Sequence, residues 1–390
     1  MIYNIVEKLD KRIGIFSDLH TGVSSDSKMR LNETIKCTDW IIDCFKQENV
    51  NWVIFCGDFF NSRYSVNVNT LNIGIEIIEK FSNAFEKIFL IAGNHDTYYK
   101  NTNEINSVKL FQKFNKNNNV IVVDQDPLFL KINQITIGLY PWEYDLEKIK
   151  LIDNYETPKY GFGHFEMNGI ELTGSISKGS KYNLSDLFIL GDMLFSGHYH
   201  GNKIYKDFKT KKQLYMIGSP LQLDWGDYGK DKKIVVFDTD SEEYFEFKNK
   251  VNAKFEKLFY SKFEKNEYCE KDYKKLCKNN FIKLVMDSKY QIEGVMKFNT
   301  IVKDYDPYSI ELDYLISIAN EVITESTDEM IKASSKTNRD YLIEYLERAF
   351  PEYEKINESI SLDYLKELAD GYYQKSLLTE KDRKEFESEN

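Results

Sequence analysis

Residues 12–20 read RIGIFSDLH, a short apolar run that stops abruptly at an acid and a histidine. Residues 51–58 (NWVIFCGD) and 87–96 (KIFLIAGNHD) repeat the pattern. Runs this short and this apolar predict buried strands at Arg12–Ser17, Asn51–Cys56 and Lys87–Ala92. Between them, Lys28–Glu48 and Asn69–Phe85 carry helical spacing, with Ile73, Ile77, Ile78 and Phe81 on one face. Strand, helix and strand in alternation imply a largely parallel sheet with helices against it. From about residue 120 the pattern shifts to strands with little helix: Val120–Val123, Leu128–Ile132, Ile135–Tyr140, Tyr160–Phe165, Met193–Ser196, Leu214–Ile217, Lys233–Asp238 and Tyr244–Phe247. A second sheet packed on the first accommodates them, so the expected class is α/β, two packed sheets flanked by helices.

Beyond residue 250 the reading is a small α+β unit over 251–320, then a helical segment over 321–390 that ends in a charged tail. Pro351 stops a helix at Arg339–Phe350, and Ser361 can cap the next one. Composition narrows the function classes. No apolar stretch approaches the roughly 18–20 residues that cross a membrane, and the amino terminus lacks a signal-peptide core. Five cysteines without a Cys-x-x-Cys pair argue for a reducing cytoplasm and against a thiolate zinc site. With a net charge of −11, bulk charge cannot hold a polyanion; local basic surface or a partner must do so.

The five histidines carry the functional argument. In chain order the sites are Asp18-Leu19-His20, Gly57-Asp58, Gly93-Asn94-His95-Asp96, Gly163-His164 and Gly197-His198-Tyr199-His200. Each follows an expected buried strand, and ligands of open α/β sheets gather at the carboxyl ends of strands. Any one of these segments alone is ordinary turn chemistry. Together they place every histidine where five loops can converge on one crevice. Imidazole mixed with carboxylate suits Mn, Fe or Zn better than Mg or Ca. Asp58 can bridge two ions, and Leu19 should point back into the core between Asp18 and His20.

This order of motifs resembles the calcineurin-like metallophosphoesterase superfamily over roughly residues 12–240. Asp18–Gly22, Gly93–Asn101 (GNHDTYYKN), Gly163–Gly169 (GHFEMNG) and Ile217–Pro220 look like its SbcD-type DNA repair nucleases, especially their phage-encoded recombination subunits. The resemblance implies one metal held by Asp18, His20, Asp58 and His200, and a second held by Asp58, Asn94, His164 and His198. Mn²⁺ is the expected ion, with Mg²⁺, Fe²⁺ or Zn²⁺ as alternatives. It makes His95 the catalytic histidine, with Asp96 orienting it. Some relatives place another histidine three residues after the Gly-Asp aspartate, where this chain has Asn61.

The protein-phosphatase motif Gly-Asp-x-x-Asp-Arg-Gly is replaced here by GDFFNSRY, which counts against that branch. For DNA, the candidate phosphate contacts are Lys203, Lys206, Lys209, Lys211 and Lys212 just after His200, and more weakly Lys178 and Lys181. A lysine-rich hairpin tip is also an ordinary solvated surface. The family layout implies a capping domain at 251–320 and a docking face for an SMC-like coiled-coil ATPase formed by Tyr341, Leu342, Tyr345, Leu346, Leu362, Leu365 and Leu368. It also implies a homodimer joined through the early helices. Two rival readings are a phosphoesterase of nucleotides or small phosphodiesters and a non-catalytic recombination scaffold.

Overall fold

The structure, a computed structural model, describes residues 3–5, residues 11–314 apart from 114–115, 133–134, 143–144, 152–154, 173–174, 177–179 and 291, and residues 361–362 and 365–366. Lys178, Tyr341, Leu342, Tyr345, Leu346 and Leu368 lie outside the described residues, as does the helix expected at 339–350. Leu362 and Leu365 are described and half-buried, with Leu365 N donating to Ser361 O at 3.2 Å. The chain divides into two compact units: Met1–Leu258 with Lys262–Leu284 and Val295–Glu311, and Phe259–Ser261 with Val285–Gly294 and Leu312–Asn390.

The first unit holds two large sheets. In chain order their strands are β1 (Tyr3–Ile5), β2 (Arg12–Phe16), β3 (Trp52–Phe55), β4 (Lys87–Ile91), β5 (Val120–Val123), β6 (Leu128–Ile132), β7 (Ile135–Tyr140), β8 (Tyr160–Gly163), β9 (Met193–Ser196), β10 (Lys203–Lys206), β11 (Gln213–Met216), β12 (Lys233–Asp238) and β13 (Glu243–Lys248). One sheet runs β13-β12-β2-β3-β4-β5 and the other β1-β6-β7-β8-β9-β11-β10. β2 to β5 are mutually parallel, with β12 antiparallel to β2. In the second sheet β7, β8, β9 and β11 are parallel. The strands feeding the histidine loops therefore run the same way within each sheet.

Side-chain alternation explains the layers. Ile13, Ile15, Trp52, Ile54, Phe89 and Ile91 face the second sheet and pack on Ile137, Leu139, Phe162, Phe195 and Tyr215. Their neighbours Phe16, Val53, Phe55, Ile88 and Leu90 face the helices α1 (Lys28–Gln47) and α2 (Val68–Ala84), meeting Ile41, Phe45, Ile77, Ile78 and Phe81. Both faces of these strands are covered, which is why they read as unbroken apolar runs. The helices begin where local chemistry allows: Ser27 accepts from Arg30 N, and Asn67 from Asn69 N.

Within the first unit, Asn252, Ala253, Phe255, Phe281 and Tyr308 meet a buried acid and base of α1. Glu33 accepts from Asn252 Nδ2 at 2.8 Å, Ala253 N at 2.7 Å and Tyr308 Oη at 3.0 Å. The Arg30 guanidinium lies over Phe255 and Phe281, 5.6 and 5.1 Å from the ring centroids.

Phe162 stacks on Phe195 between the sheets, centroids 5.1 Å apart and planes 10° from parallel. Phe162→Ala should cost about 3–5 kcal/mol of stability in denaturant unfolding. A loss below about 1 kcal/mol would contradict a close-packed interface there.

Candidate metal centre

The loops that leave these strands reverse sharply. Asp18 (φ 53°), His20 (φ 46°), Asp58 (φ 62°) and His198 (φ 82°) all adopt left-handed backbone conformations. Such positions cost on the order of 1–3 kcal/mol each unless their surroundings over-determine them. Cross-links between the loops do that here. Asp18 N donates to Gly57 O at 2.9 Å, His20 N to Asp58 O at 3.1 Å, and His198 N to Asp18 Oδ1 at 3.1 Å. Gly57 (φ 94°) is required, because a Cβ there would run into the His164 ring. Leu19 is fully buried in the helix-side core, so Asp18 and His20 are carried toward the crevice on either side of it.

Eight of the nine site residues expected from the sequence, all but Asp96, meet at the strand ends. His20 Nε2 lies 3.5 Å from Asp58 Oδ2, 3.9 Å from Asp18 Oδ1 and 3.1 Å from His200 Nε2. His164 Nε2 lies 3.3 Å from Asp58 Oδ2 and 2.9 Å from Asn94 Oδ1, which is 3.0 Å from His198 Nδ1. Ligand atoms of Asp18, His20 and His200 fall within 4.8 Å of one another, as do those of His20, Asp58 and His95, and of Asp18, Asp58 and His164. Atoms bound about 2.1 Å from a shared cation have spacings of this size.

One observation favours cations over an ordinary polar network. Asp18 Oδ2 and His20 Nδ1 are buried without a hydrogen-bond partner. The Nε2 atoms of His20 and His200 lie 3.1 Å apart, a spacing that either an N–H···N hydrogen bond or a shared cation gives. Orphaned buried groups are rare in folded proteins because each carries a desolvation penalty. A donor set of imidazole, carboxylate and amide oxygen fits divalent transition metals.

Electrostatics fit the same reading. Burial pushes His20 and His198 down to about 3, leaving both rings neutral with lone pairs to offer. Burial raises Asp18. Burial also opposes ionisation of Asp58, but His164, His20 and His95 together hold it below the usual carboxylate range. Burial likewise lowers His164, yet Asp58 and Asp18 outweigh it and lift the ring to about 9. His164 Nδ1 donates to Cys56 O at 2.7 Å, so Nε2 is the atom turned to the acids.

His95 stands at the rim. Its Nδ1 donates to Asn61 O at 2.6 Å, and its backbone N donates to Asp58 Oδ1 at 2.8 Å. A carbonyl can only accept, so the ring exchanges protons at Nε2 alone. The ring's hydrogen-bond partner is thus the Asn61 main chain. The Asp96 carboxylate accepts instead from four backbone amides, Asp58 N (2.9 Å), Phe59 N (3.0 Å), Phe60 N (3.1 Å) and Gly93 N (2.9 Å). It ties the β3 and β4 loops together. Burial and Asp58 raise its carboxyl to about 7 against the pull of those amides.

Three further residues hold the centre and escape a motif search. Arg63 Nη2 donates to Asn94 O at 2.7 Å. The Trp142 ring lies 5.2 Å from that of His198 and 5.9 Å from that of His164. Lys232, nearly buried, donates to His200 O at 2.9 Å, Ser219 Oγ at 2.8 Å and Asp227 Oδ1 at 2.6 Å. In sequence Lys232 is one member of the run Lys230–Lys233, which reads as solvated charge.

Of the candidate lysines, Lys203 lines a cavity of about 760 Å³ with His198 and His200, and Lys181 lines another of about 440 Å³ that reaches His164. Lys206, Lys209 and Lys211 are exposed, while Lys212 pairs with Asp192 at 3.0 Å.

A cation at Nε2 must displace the His164 proton, so Mn²⁺ affinity should rise from pH 6 to pH 9, with proton release near neutrality. Calorimetry in buffers of different ionisation heat reads this directly; release of no protons at pH 7 would refute it. For the metal-free chain the sign reverses. The raised His164 pKa stabilises fully below its ordinary value of 6.5, and that contribution is lost as pH climbs through about 9. Lys232→Met should loosen His200 and weaken Mn²⁺ binding about tenfold by titration. Unchanged affinity in the folded variant would show that the contact does not position His200.

A profile of the calcineurin-like phosphoesterases matches residues 11–202. No curated protein gives a significant match. Among solved structures, the chain is similar to an archaeal phosphodiesterase (18% identity, 61% of this chain and 99% of that one, TM-score 0.33). It is also similar to the Escherichia coli phosphoesterase Yfce (10% identity, 62% and 100%, TM-score 0.32). A dimetal phosphatase from Danio rerio gives 9% identity, coverage of 61% and 98%, and a TM-score of 0.34. The profile spans every loop from Asp18 to His200, so over residues 11–202 the chain is similar to the calcineurin-like phosphoesterases.

Proposed function

We propose that this chain is a calcineurin-like phosphoesterase and, within that class, a Mn²⁺-dependent DNA nuclease that acts in repair or recombination with an SMC-like coiled-coil ATPase. The observation that carries the hydrolytic part is Asp58, whose carboxylate stands between His20 and His164 with Asp18 beside them. Two divalent ions in such a setting lower the pKa of water and neutralise charge on both the attacking and leaving oxygens. The chain's own residues supply the rest. His95, its ring centroid 4.8 Å from that of His20 and its Nδ1 committed to Asn61 O, keeps Nε2 to pass a proton to the leaving oxygen. Asn94 and Arg63 fix the loop beneath it.

Support for an extended polyanionic substrate comes from the two cavities that open on different ligands of the centre. One reaches His164 and carries Lys148 and Lys181 with Asp145 and Glu166; the other reaches His198 and His200 and carries Lys203, Lys230, Lys233 and Lys248 with Asp224, Asp227 and Asp231. A small ester needs only one such space. The ATPase partner and the dimer rest on the resemblance of the motifs.

Purified protein with Mn²⁺ should cleave single- or double-stranded DNA as well as bis-p-nitrophenyl phosphate. Cleavage of the small ester alone, even with the ATPase supplied, would leave a small-molecule phosphoesterase. His95→Gln should lower kcat by about 10²–10⁴-fold while two ions remain bound by elemental analysis. Loss of both metals would mean His95 is a ligand rather than a proton carrier.

A further inference from the structure

Where the parallel strands β8 and β9 end, their loops must still hold His164 and His198 at a fixed spacing. The ladder pairs Ser196 with Gly163, and Gly197 N donates to Gly163 O at 3.2 Å. From there two buried hydroxyls bridge the loops. Ser196 Oγ accepts from Phe165 N at 2.7 Å and donates to Gly197 O at 3.0 Å. Tyr199 Oη accepts from Met167 N at 3.3 Å and donates to Met167 O at 3.0 Å. Ser196, Phe165, Met167 and Tyr199 are all buried, so each bridge is shielded from water and costly to break.

The bridged positions flank the two histidines. Phe165 follows His164 directly, and Gly197 and Tyr199 stand on either side of His198. The Tyr199 ring packs edge-on against His198, centroids 4.6 Å apart. The His164 and His198 rings lie 5.2 Å apart, and Asn94 Oδ1 is 2.9 Å from a nitrogen of one and 3.0 Å from a nitrogen of the other. Each hydroxyl gives its proton to a carbonyl and accepts from an amide, so it acts on the backbone rather than on a cation.

We infer that Ser196 and Tyr199 are positioning residues that set the spacing of His164 and His198, and through it the affinity for the second of the two cations. The inference rests on the two-cation reading of the centre and is independent of which phosphoester is cut. Sequence gives no hint of it: Tyr199 is the spacer between two histidines, and Ser196 closes an apolar strand. Groups that orient metal ligands without touching the metal change affinity about 10–100-fold when removed.

The test uses the full chain and two substitutions that remove an oxygen and keep the packing, Ser196→Ala and Tyr199→Phe. Each should lower the affinity for one Mn²⁺ about tenfold in a calorimetric titration and leave the other unchanged. At a concentration that fills wild type with two ions, the variants should hold one by elemental analysis. Their electron paramagnetic resonance should change from a spin-coupled pair to isolated Mn²⁺. Excess Mn²⁺ should restore the pair and, with it, hydrolysis of bis-p-nitrophenyl phosphate. Thr38→Val is the matched control, because it removes a buried hydroxyl that donates to Thr34 O at 3.0 Å within α1; it should keep both ions. Two ions bound at wild-type affinity in both variants would overturn the brace, as would equal weakening of both ions. A wild type that takes up fewer than two ions would overturn the two-cation reading itself, and the brace with it.

Discussion

Two carboxylates, Asp18 and Asp58, are buried almost completely within a few ångströms of each other, and the rest of the site follows from that cost. Charge in a low-dielectric interior persists only when it is paired or coordinates a metal. The protein offers little permanent counter-charge close by. His20 and His198 are kept neutral by their own burial, and only His164 is driven to hold a proton. A site of this kind is electrostatically incomplete without cations. The unpartnered Asp18 Oδ2 and His20 Nδ1 express the same incompleteness in geometric terms.

Holding these groups apart from one another requires rigidity, and the two sheets provide it. Parallel strands β2, β3 and β4 deliver Asp18, Asp58 and Asn94 from one sheet, and β8 and β9 deliver His164, His198 and His200 from the other. The aromatic layer between the sheets fixes how far apart those two sets stand. At the strand ends the backbone takes up left-handed turns that free chain would abandon, and Asp96 answers with four amide contacts. Strain at the loops is therefore held by a buried acid that need not touch a substrate.

Much of this was legible because the chain keeps its chemistry at the ends of short apolar runs. Val120–Val123, Leu128–Ile132, Ile135–Tyr140, Met193–Ser196 and Lys233–Asp238 match the expected strands residue for residue. The strand at Tyr160–Gly163 is shorter than expected, because Gly163 opens the turn that presents His164. Lys203–Lys206 reads as a charged tip yet pairs with Gln213–Met216 as an edge strand, whose first and last residues, Lys203 and Lys206, are exposed. Supporting residues were harder to see. Lys232 looks like any surface lysine until the fold brings His200 and Asp227 around it, and Asn61 matters through its carbonyl, which no side-chain motif encodes.

The negative charge of the whole chain then becomes consistent with a polyanionic substrate. A protein at −11 repels DNA from most of its surface. Two divalent cations would outweigh the paired charges of Asp18 and Asp58, beside cavities lined by both lysines and acids. If the chain is the proposed nuclease, attraction would be confined to the crevice that holds these acids, and grip on the remaining length of a nucleic acid would be left to another surface. On the proposed reading that surface belongs to the ATPase partner, so salt should affect the isolated chain mainly through the few phosphates it holds near the metals.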